Sequence, residues 1–248
     1  MVLLHYDPPT SPYLKFLYRD SDVLVVEKPS GLLSVKGRAE AHFDSIQTRV
    51  MKVYPTASIV HRLDMATSGI LLMALNKAAN RELSRQFQQR EVHKTYFARV
   101  FGHPQNDTGR IELPLICDWP NRPKQMVDHE HGKPSTTDYQ VVKRDQYSTL
   151  VQLSPITGRS HQLRVHMQAL GHPILGDRLY AHAEALRVSP RLMLHAQSIE
   201  FTHPVTGQNM RFESPHAFSD ELIDSNQFEH QAFIQVSQHE EIPTSADK

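Results

Sequence analysis

The sequence predicts a mixed α+β domain in which antiparallel strands form most of the structure. Many short segments rich in β-branched and apolar residues follow one another, separated only by turn-forming residues. Few segments have the period of an amphipathic helix, and strands and helices do not alternate regularly along the 248 residues. We therefore expect neither a doubly wound parallel sheet nor an α/β barrel.

The predicted strands are short apolar runs bounded by turns. DVLVVEK at 22–28 ends at the turn-forming sequence PSG, and GILLMAL at 69–75 is apolar enough for both of its faces to be buried. The stretch 116–134 holds three prolines and no period, so we expect a loop there. The other predicted strands cover 58–62, 95–102, 110–115, 136–143, 148–153, 193–202 and 209–213.

Three helices are predicted from the spacing of apolar residues. Asp44 is expected to cap the first helix, which reaches about Tyr54, and Asn76 to cap the second, over 77–90. The third helix covers 161–171, with a glycine as its C-terminal cap. Its inward-facing stripe is predicted to be Leu163, Met167 and Leu170.

Composition excludes several classes of protein. No apolar run approaches the roughly 18 residues of a membrane span, and the N-terminus lacks the basic and small-residue flanks of a signal peptide. Cys117 is the single cysteine, so no disulfide can form within the chain and a cysteine-based zinc site is not expected. These features predict a cytoplasmic protein.

Charge divides the chain into a basic body and an acidic tail, although the net charge of the whole is zero. Residues 213–248 hold eight acidic residues and one basic residue, whereas residues 1–212 hold 26 basic and 19 acidic residues, a net +7. A basic body suits a polyanionic partner, but such a charge is also common among enzymes that bind none. We expect one folded domain over 1–218 and a disordered tail over 219–248.

Two polar segments stand out as candidate sites. HRLD at 61–64 directly precedes the most apolar strand, so Asp64 lies in a loop at the core's edge, as a turn cap or as a working group. On the helix predicted over 161–171, one face carries His161, Arg164 and Gln168. An arginine close to Asp64 would hold its carboxylate ionised and aimed, whereas the alternative is a solvated helix face.

Basic residues also recur on the second helix, as Lys77, Arg81 and Arg85. Like charges at this spacing repel weakly, and either a bound phosphate backbone or Glu82 and solvent would offset the repulsion. The sequence lacks G-x-G-x-x-G, Walker A and H-E-x-x-H motifs. The cluster DHEH at 128–131 contains metal-ligand residue types, but adjacent residues in a loop seldom converge on one ion. These observations favour a metal-free carboxylate site in a basic setting.

Four segments together resemble the successive motifs of the RluA-type pseudouridine synthases: HRLDMATSGILLMAL, KTYFARVFG, TGRSHQLRVHMQALGHPILGD and RLMLHA. The resemblance extends from about Asp20 to about Pro215, and KPSGLLSV and LICDWPNRPKQ resemble the RluA subgroup itself. It implies the α+β pseudouridine synthase fold, with a mixed, largely antiparallel sheet and flanking helices around a central RNA-binding cleft. With about 20 residues before the first strand, no N-terminal S4 domain is expected, and 1–218 would be the catalytic domain.

The resemblance also implies a reaction and its residues. A uridine flipped out of the RNA would lose its glycosidic bond, rotate and rejoin the sugar through C5, which requires neither metal nor cofactor. Asp64 matches the catalytic carboxylate, Arg164 its partner, and Tyr96 the aromatic that stacks on the target uracil and takes part in proton transfer. Arg62 matches the residue that takes the flipped base's place in the RNA, and Leu194 is expected to pack against the base. Lys77, Arg81, Arg85 and Arg159 are candidates for phosphate contacts.

The subgroup resemblance implies dual substrates, large-subunit ribosomal RNA and the tRNA anticodon stem-loop. We expect a monomer with no obligate protein partner. The loop at 116–126 is a hypothesis for substrate selection, because the subgroup-specific match lies there. Two other functions are considered: a catalytically idle RNA-binding protein on the same scaffold, and a metal hydrolase that uses 128–131. The complete set of Asp64, Tyr96 and Arg164 favours the isomerase.

Overall fold

A ten-stranded sheet carries most of the part of the chain that the structure describes. The structure is a computed structural model, and it describes residues 6–215 and Phe218. The strand order is β1-β2-β4-β11-β5-β10-β9-β6, with β3 paired to β4 and β12 to β11, while β7 and β8 form a separate hairpin. The strands are β1 (Lys15–Arg19), β2 (Val23–Lys28), β3 (Ser58–Ile59), β4 (Ser68–Ala74), β5 (His93–Phe101), β6 (Thr108–Glu112), β7 (Leu115–Cys117), β8 (Gln125–Val127), β9 (Thr136–Arg144), β10 (Ser148–Pro155), β11 (Leu194–Thr202) and β12 (Asn209–Glu213).

Within residues 6–215, β4 and β11 form the one parallel pair and the other strand pairs are antiparallel. The prediction of a mixed, largely antiparallel α+β fold is therefore confirmed. The acidic tail predicted over 219–248 lies outside the described residues. Among the described residues, four α-helices flank the sheet: α1 (Ile46–Met51), α2 (Lys77–Gln89), α3 (Gln162–Ala169) and α4 (Ala183–Arg187). No helix in the described residues is both long and apolar enough to cross a membrane.

The helix caps agree with the sequence at two of three positions. Asn76 caps α2 as predicted, accepting from the Ala79 N–H at 2.9 Å. Gly171, with φ of +89°, follows α3 in the left-handed conformation that ends many helices. The cap of α1 was predicted wrongly: Ser45 and Thr48 form a capping box, and the neighbouring Asp44 binds the Arg49 guanidinium instead.

Several predicted boundaries also differ from the structure. The predicted loop 116–134 contains most of the β7–β8 hairpin, whose strands have three residues each and are too short to show a period. Strand β1 and helix α4 were not predicted. The strand predicted over 58–62 stops at Ile59, because the His61 Nε2 atom, rather than its main chain, accepts the Leu72 N–H at 2.9 Å.

The core lies on both faces of the central strands. All seven residues of β4 are buried, and alternate residues of β2 and β4 enter two clusters. One cluster packs against α1 and includes Leu71 and Met73, and the other packs against α2 and includes Ile70 and Leu72. A third cluster holds α3 through Leu163 and Met167 as predicted, but Leu170 is exposed.

Gly69 explains why a glycine follows the HRLD-x-x-T-S motif. Its φ is +114°, and an added Cβ would lie 2.3 Å from the Ala196 carbonyl oxygen. A side chain here would meet the backbone of the parallel partner strand, so only glycine fits. This close approach fixes the start of β4 against β11, and the loop that carries Asp64 immediately precedes it.

Candidate active site

Asp64 lies in the loop between β3 and β4, with its side chain about one quarter exposed (25%). The Thr67 N–H donates to the Asp64 carbonyl oxygen at 3.1 Å, so the turn is closed by the main chain. The Asp64 carboxylate instead accepts from Arg164 Nη1 at 3.1 Å. Of the two sequence-based interpretations of Asp64, these contacts favour a working group over a turn cap.

Arg164 is held in place by a second carboxylate. Its Nε and Nη2 atoms donate to the two oxygens of Asp177, each at 2.7 Å, which leaves Nη1 for Asp64. The predicted polar face of α3 is wrong at this position, because Arg164 is 4% exposed and neighbours on all sides of the helix are buried. Burial acts to lower the pKa of Arg164, but Asp177 and Asp64 outweigh it and raise that pKa, so the guanidinium stays charged.

Asp177 was not predicted as a site residue. Its side chain is fully buried, and besides Arg164 it accepts the N–H groups of Leu179 at 2.9 Å and Tyr180 at 3.3 Å. The signal was present in the sequence, since an aspartate follows the apolar run and glycine of GHPILGD. Its pairing with Arg164, 13 residues earlier, depends on the fold and not on local periodicity.

Tyr180 and His161 form the wall beside this pair. The Arg164 guanidinium carbon lies 5.0 Å from the centre of the Tyr180 ring, and the Tyr180 hydroxyl lies 2.6 Å from His161 Nδ1. That hydroxyl also accepts the Gln125 N–H at 2.8 Å. His161 Nε2 lies 3.9 Å from the Asp64 carboxylate. Burial lowers the pKa of His161, partly opposed by Asp64, and favours the neutral ring.

Tyr96 lies near the middle of the sheet, opposite Ala196 on β11 and Leu153 on β10. It is half-buried and packs against both the α1 and the α3 core clusters. Burial, followed by the charge of Asp64, raises the pKa of the phenol. Tyr96 is therefore a neutral phenol at physiological pH, suited to stacking and to hydrogen bonding.

Lys28 is a buried cation that sequence reasoning missed. It ends β2, and its Nζ atom donates to the carbonyl oxygens of Pro29 at 2.9 Å, Leu32 at 2.7 Å and Met65 at 3.0 Å. Burial lowers its pKa to about 7, and the nearby Asp64 charge opposes that shift. Because Met65 directly follows Asp64, Lys28 fixes the loop that carries the carboxylate. A lysine at the end of a largely apolar strand, VLVVEK, was the signal.

Arg62 and Leu194, both predicted to contact RNA, have opposite environments. Arg62 is exposed, and within the described part of the chain its side chain has no hydrogen-bond or ion-pair partner. Leu194 is 3% exposed and lies within the α3 core cluster, on the same sheet face as Tyr96. The burial of Leu194 restricts its contact with a base. The RNA-binding roles of Arg62 and Leu194 both stay predictions.

The basic residues of α2 do not join this site. The helix packs on the sheet face opposite the α1 cluster that Tyr96 joins. Arg85 pairs with Glu82 at 2.6 Å and with Glu91 at 2.9 Å, so the predicted charge repulsion is offset within the protein. Arg159, just before α3, is exposed, and its Nε atom lies 3.4 Å from the Pro134 carbonyl.

Two clusters contain the residue types that bind metals, and in each of them an aspartate accepts backbone N–H groups of a turn. In the sequence 128–131, Asp128 accepts the N–H groups of Glu130 at 2.9 Å and His131 at 2.8 Å. In the described residues, Asp20, Asp22 and His203 also approach one another. The Asp20 carboxylate there already accepts two backbone N–H groups and bonds to His203, which explains the cluster without an ion.

Comparisons with known proteins identify the family. A family model described as RNA pseudouridylate synthase matches residues 22–169. Proteins named dual-specificity RNA pseudouridine synthase RluA are 60% identical in Salmonella typhimurium and 58% identical in Escherichia coli K12, each over 219 residues that cover 88% of this chain and 100% of the relative. The Vibrio vulnificus protein of that name is 55% identical over 209 residues, covering 82% of this chain and 84% of the relative.

Solved structures show the same fold. Human RNA pseudouridylate synthase domain containing 1 aligns with a TM-score of 0.71 and 30% identity, covering 96% of this chain and 100% of that chain. Human RNA pseudouridylate synthase domain containing 4 aligns with a TM-score of 0.67 at 24% identity, over 82% of this chain and 89% of that chain, and shows likeness of fold alone. Because the family model spans more than half of the sequence and the relatives match most of it, the chain belongs to the RNA pseudouridylate synthase family.

Proposed function

We propose that this enzyme converts uridine to pseudouridine in two RNAs, large-subunit ribosomal RNA and the anticodon stem-loop of tRNA, with Asp64 as the catalytic carboxylate. The observation that carries the assignment of Asp64 is its partly exposed carboxylate, bound by an arginine that a fully buried aspartate holds in place. The dual substrates rest on the names of relatives about 60% identical across 88% of the chain.

The reaction exchanges one bond of the nucleoside for another. The C1′–N1 bond breaks while Asp64 attacks the sugar C1′ or the uracil C6, or stabilises the sugar intermediate. The base then rotates and C5 forms the new bond to C1′. Any bond from Asp64 to C1′ or C6 breaks again and restores the carboxylate, the C5 hydrogen leaves as a proton and N1 takes up a proton. Nothing is oxidised and no group is imported, so we propose that no cofactor takes part. Arg164 orients the Asp64 carboxylate and compensates its negative charge at a partly buried position.

The other site residues receive roles that fit their environments. Tyr96, a neutral phenol beside Asp64, stacks on the target uracil. Arg62, exposed and unpaired within the described residues, enters the RNA where the target base has flipped out. Leu194 supports the base pocket from the core, and Arg159, exposed at the start of α3, is the phosphate contact that its position favours.

We further propose that residues 1–218 form the catalytic domain, and that the enzyme acts in the cytoplasm as a monomer without an obligate protein partner. Sedimentation at concentrations that give full activity tests the oligomeric state. A mass of one chain, 28.4 kDa, is expected, and a stable dimer would contradict this part of the proposal.

The activity is tested by tritium release from RNA labelled at uracil C5, since that hydrogen leaves in the reaction. A tRNA anticodon stem-loop and a large-subunit ribosomal RNA fragment are offered separately. Release from both is expected, and release from one only would contradict dual specificity while keeping the chemistry. Absence of release from either RNA, although both bind, would favour the idle RNA-binding protein instead.

A further inference from the structure

The turn of the β7–β8 hairpin presents the only tryptophan of the chain to solvent. Trp119 is 64% exposed, and the Arg122 guanidinium carbon lies 4.5 Å from the centre of its ring. An exposed indole is uncommon because its large apolar surface favours burial. An indole flanked by a guanidinium combines a flat stacking surface with a positive charge, the two features that bind unpaired nucleobases.

The turn that carries Trp119 is closed by hydrogen bonds. The Asp118 N–H donates to Lys124 O at 3.0 Å, the Asn121 N–H to Asp118 O at 3.1 Å, and the Lys124 N–H to Asn121 O at 3.1 Å. The Asn121 side chain also donates to the Asp118 carboxylate, at 3.1 and 3.0 Å. The platform is thus preorganised, and a partner would bind it without first ordering the turn.

The hairpin is joined directly to the candidate active site. Leu115 packs in a small cluster with Val165 and Tyr180, and the Gln125 N–H donates to the Tyr180 hydroxyl at 2.8 Å. Tyr180 in turn contacts His161 and the Arg164 guanidinium. Following this path, Trp119 lies at most about 25 Å from Asp64, taking ~3.4 Å per strand residue and ~5.5 Å between paired strands. One RNA stem-loop spans that distance.

We infer that Trp119 and Arg122 form a second base-binding site, which stacks on an unpaired nucleobase of the RNA substrate other than the target uridine. This inference rests on the proposed function and deepens it. Arg122 and Lys124 supply positive charge, which attracts RNA and an acidic protein segment alike. The exposed Trp119 ring favours RNA as the occupant, because a nucleobase offers it a flat face for stacking. The site would prefer RNA with unpaired bases over a perfect duplex.

Fluorescence of Trp119 reports on this site directly, because the chain has no other tryptophan. The Asp64→Asn enzyme, which is expected to bind RNA without turning it over, is titrated with the anticodon stem-loop while fluorescence and RNA anisotropy are recorded together. Stacking is expected to quench the indole at the same RNA concentrations at which the anisotropy rises. A blunt RNA duplex of equal length offers phosphates but no unpaired base, and is expected to leave the fluorescence unchanged.

Substitutions test whether the contact contributes to binding. Trp119→Ala is expected to weaken RNA affinity roughly 5- to 150-fold, the range that base–aromatic stacking covers, with kcat at saturating RNA unchanged. Trp119→Phe, which keeps an aromatic face, is expected to lose less affinity. Val205→Ala removes a comparably exposed apolar side chain, 65% exposed, from the turn before β12 and is the matched control.

Outcomes separate this inference from the proposed function. Tritium release by the enzyme with Asp64 intact establishes the reaction independently of Trp119. Release together with an unquenched Trp119, equal quenching by the duplex, or unchanged affinity in Trp119→Ala would overturn the second base site alone. Absence of release from either RNA would overturn the proposed function and this inference together.

Discussion

Replacing Asp177 with asparagine tests whether Asp177 positions the Arg164 guanidinium, because Arg164 itself stays in the protein. Asp177→Asn keeps the size of the side chain but removes the charge that binds two donors of Arg164, each at 2.7 Å. Both side chains of the pair are buried, with exposures of 5% and 0%. Removing one partner of such a pair costs about 3–5 kcal/mol of unfolding free energy, and the remaining amide hydrogen bonds favour the lower value, about 3 kcal/mol.

Catalysis should suffer as well. Without the Asp177 carboxylate, the Arg164 guanidinium is free to turn and bind both oxygens of Asp64, which lowers the reactivity of that carboxylate. We expect kcat to fall about 10- to 100-fold with little change in KM, because a misplaced positioning group costs on that order and RNA contacts elsewhere persist. Tritium release at saturating RNA measures kcat, and urea denaturation measures the unfolding free energy.

The Arg110–Asp138 pair supplies a matched control. It has the same two-pronged geometry, at 2.6 and 2.9 Å, but its side chains are 57% and 36% exposed. Asp138→Asn should leave both kcat and stability unchanged within error, since water screens exposed pairs. If Asp177→Asn lost stability but kept kcat, Asp177 would be structural only. If it lost neither, the account of the buried pair would be wrong.

Three further predictions follow from individual contacts. Lys28→Met removes the donor of the Pro29 and Leu32 carbonyl oxygens and one of the two donors to Met65 O, since the Gly31 N–H remains there. It should lower the unfolding free energy by about 2–3 kcal/mol and reduce kcat, measured by urea denaturation and tritium release; unchanged kcat would contradict its role in fixing the Asp64 loop. Burial lowers the pKa of His61 from 6.5 in the unfolded chain to about 3 in the folded protein. Between these pH values the imidazole is protonated only in the unfolded chain. The unfolding free energy should therefore fall as pH drops below about 6.5, by up to ~1.4 kcal/mol per pH unit. Denaturation of His61→Gln from pH 7 to pH 5 should show a weaker dependence, and an equal one would exclude His61 as a source. Arg62→Ala should leave the melting temperature unchanged, because the side chain is exposed, while kcat/KM for RNA falls at least ten-fold; equal kcat/KM would refute its insertion into RNA.

Local physics made much of the fold predictable. The apolar run at 69–75 became the fully buried β4, and Asn76 followed by helical spacing became α2 with its cap. The β7–β8 hairpin was missed because three-residue strands flanked by prolines carry no period. Sequence alone did not distinguish Asp44 from Ser45 as the N-terminal cap of α1, because both residue types are good caps. Asp44 was predicted, but Ser45 is the cap, and Thr48 completes its capping box.

The candidate site depended on contacts across the chain. Asp64 and Arg164, 100 residues apart, were paired through the family resemblance, and the structure places them 3.1 Å apart. Amphipathic reasoning assigned Arg164 to a polar face, whereas residues 162–167 of α3 are all buried, and the carboxylates of Asp177 and Asp64 compensate the buried guanidinium. No pattern in the sequence predicts that a lysine at the end of β2 binds the carbonyl oxygen of Met65, the residue after Asp64.

The central claim is that the Asp64 carboxylate performs the chemistry, and the Asp64→Asn enzyme tests it most directly. Single-turnover tritium release and RNA affinity are measured on the same anticodon stem-loop, with thermal unfolding as the check on folding. We predict that release falls below detection while the RNA dissociation constant changes less than about three-fold, because the substitution keeps the size of the side chain and removes only its charge. Release at the rate of the unchanged enzyme would contradict the account.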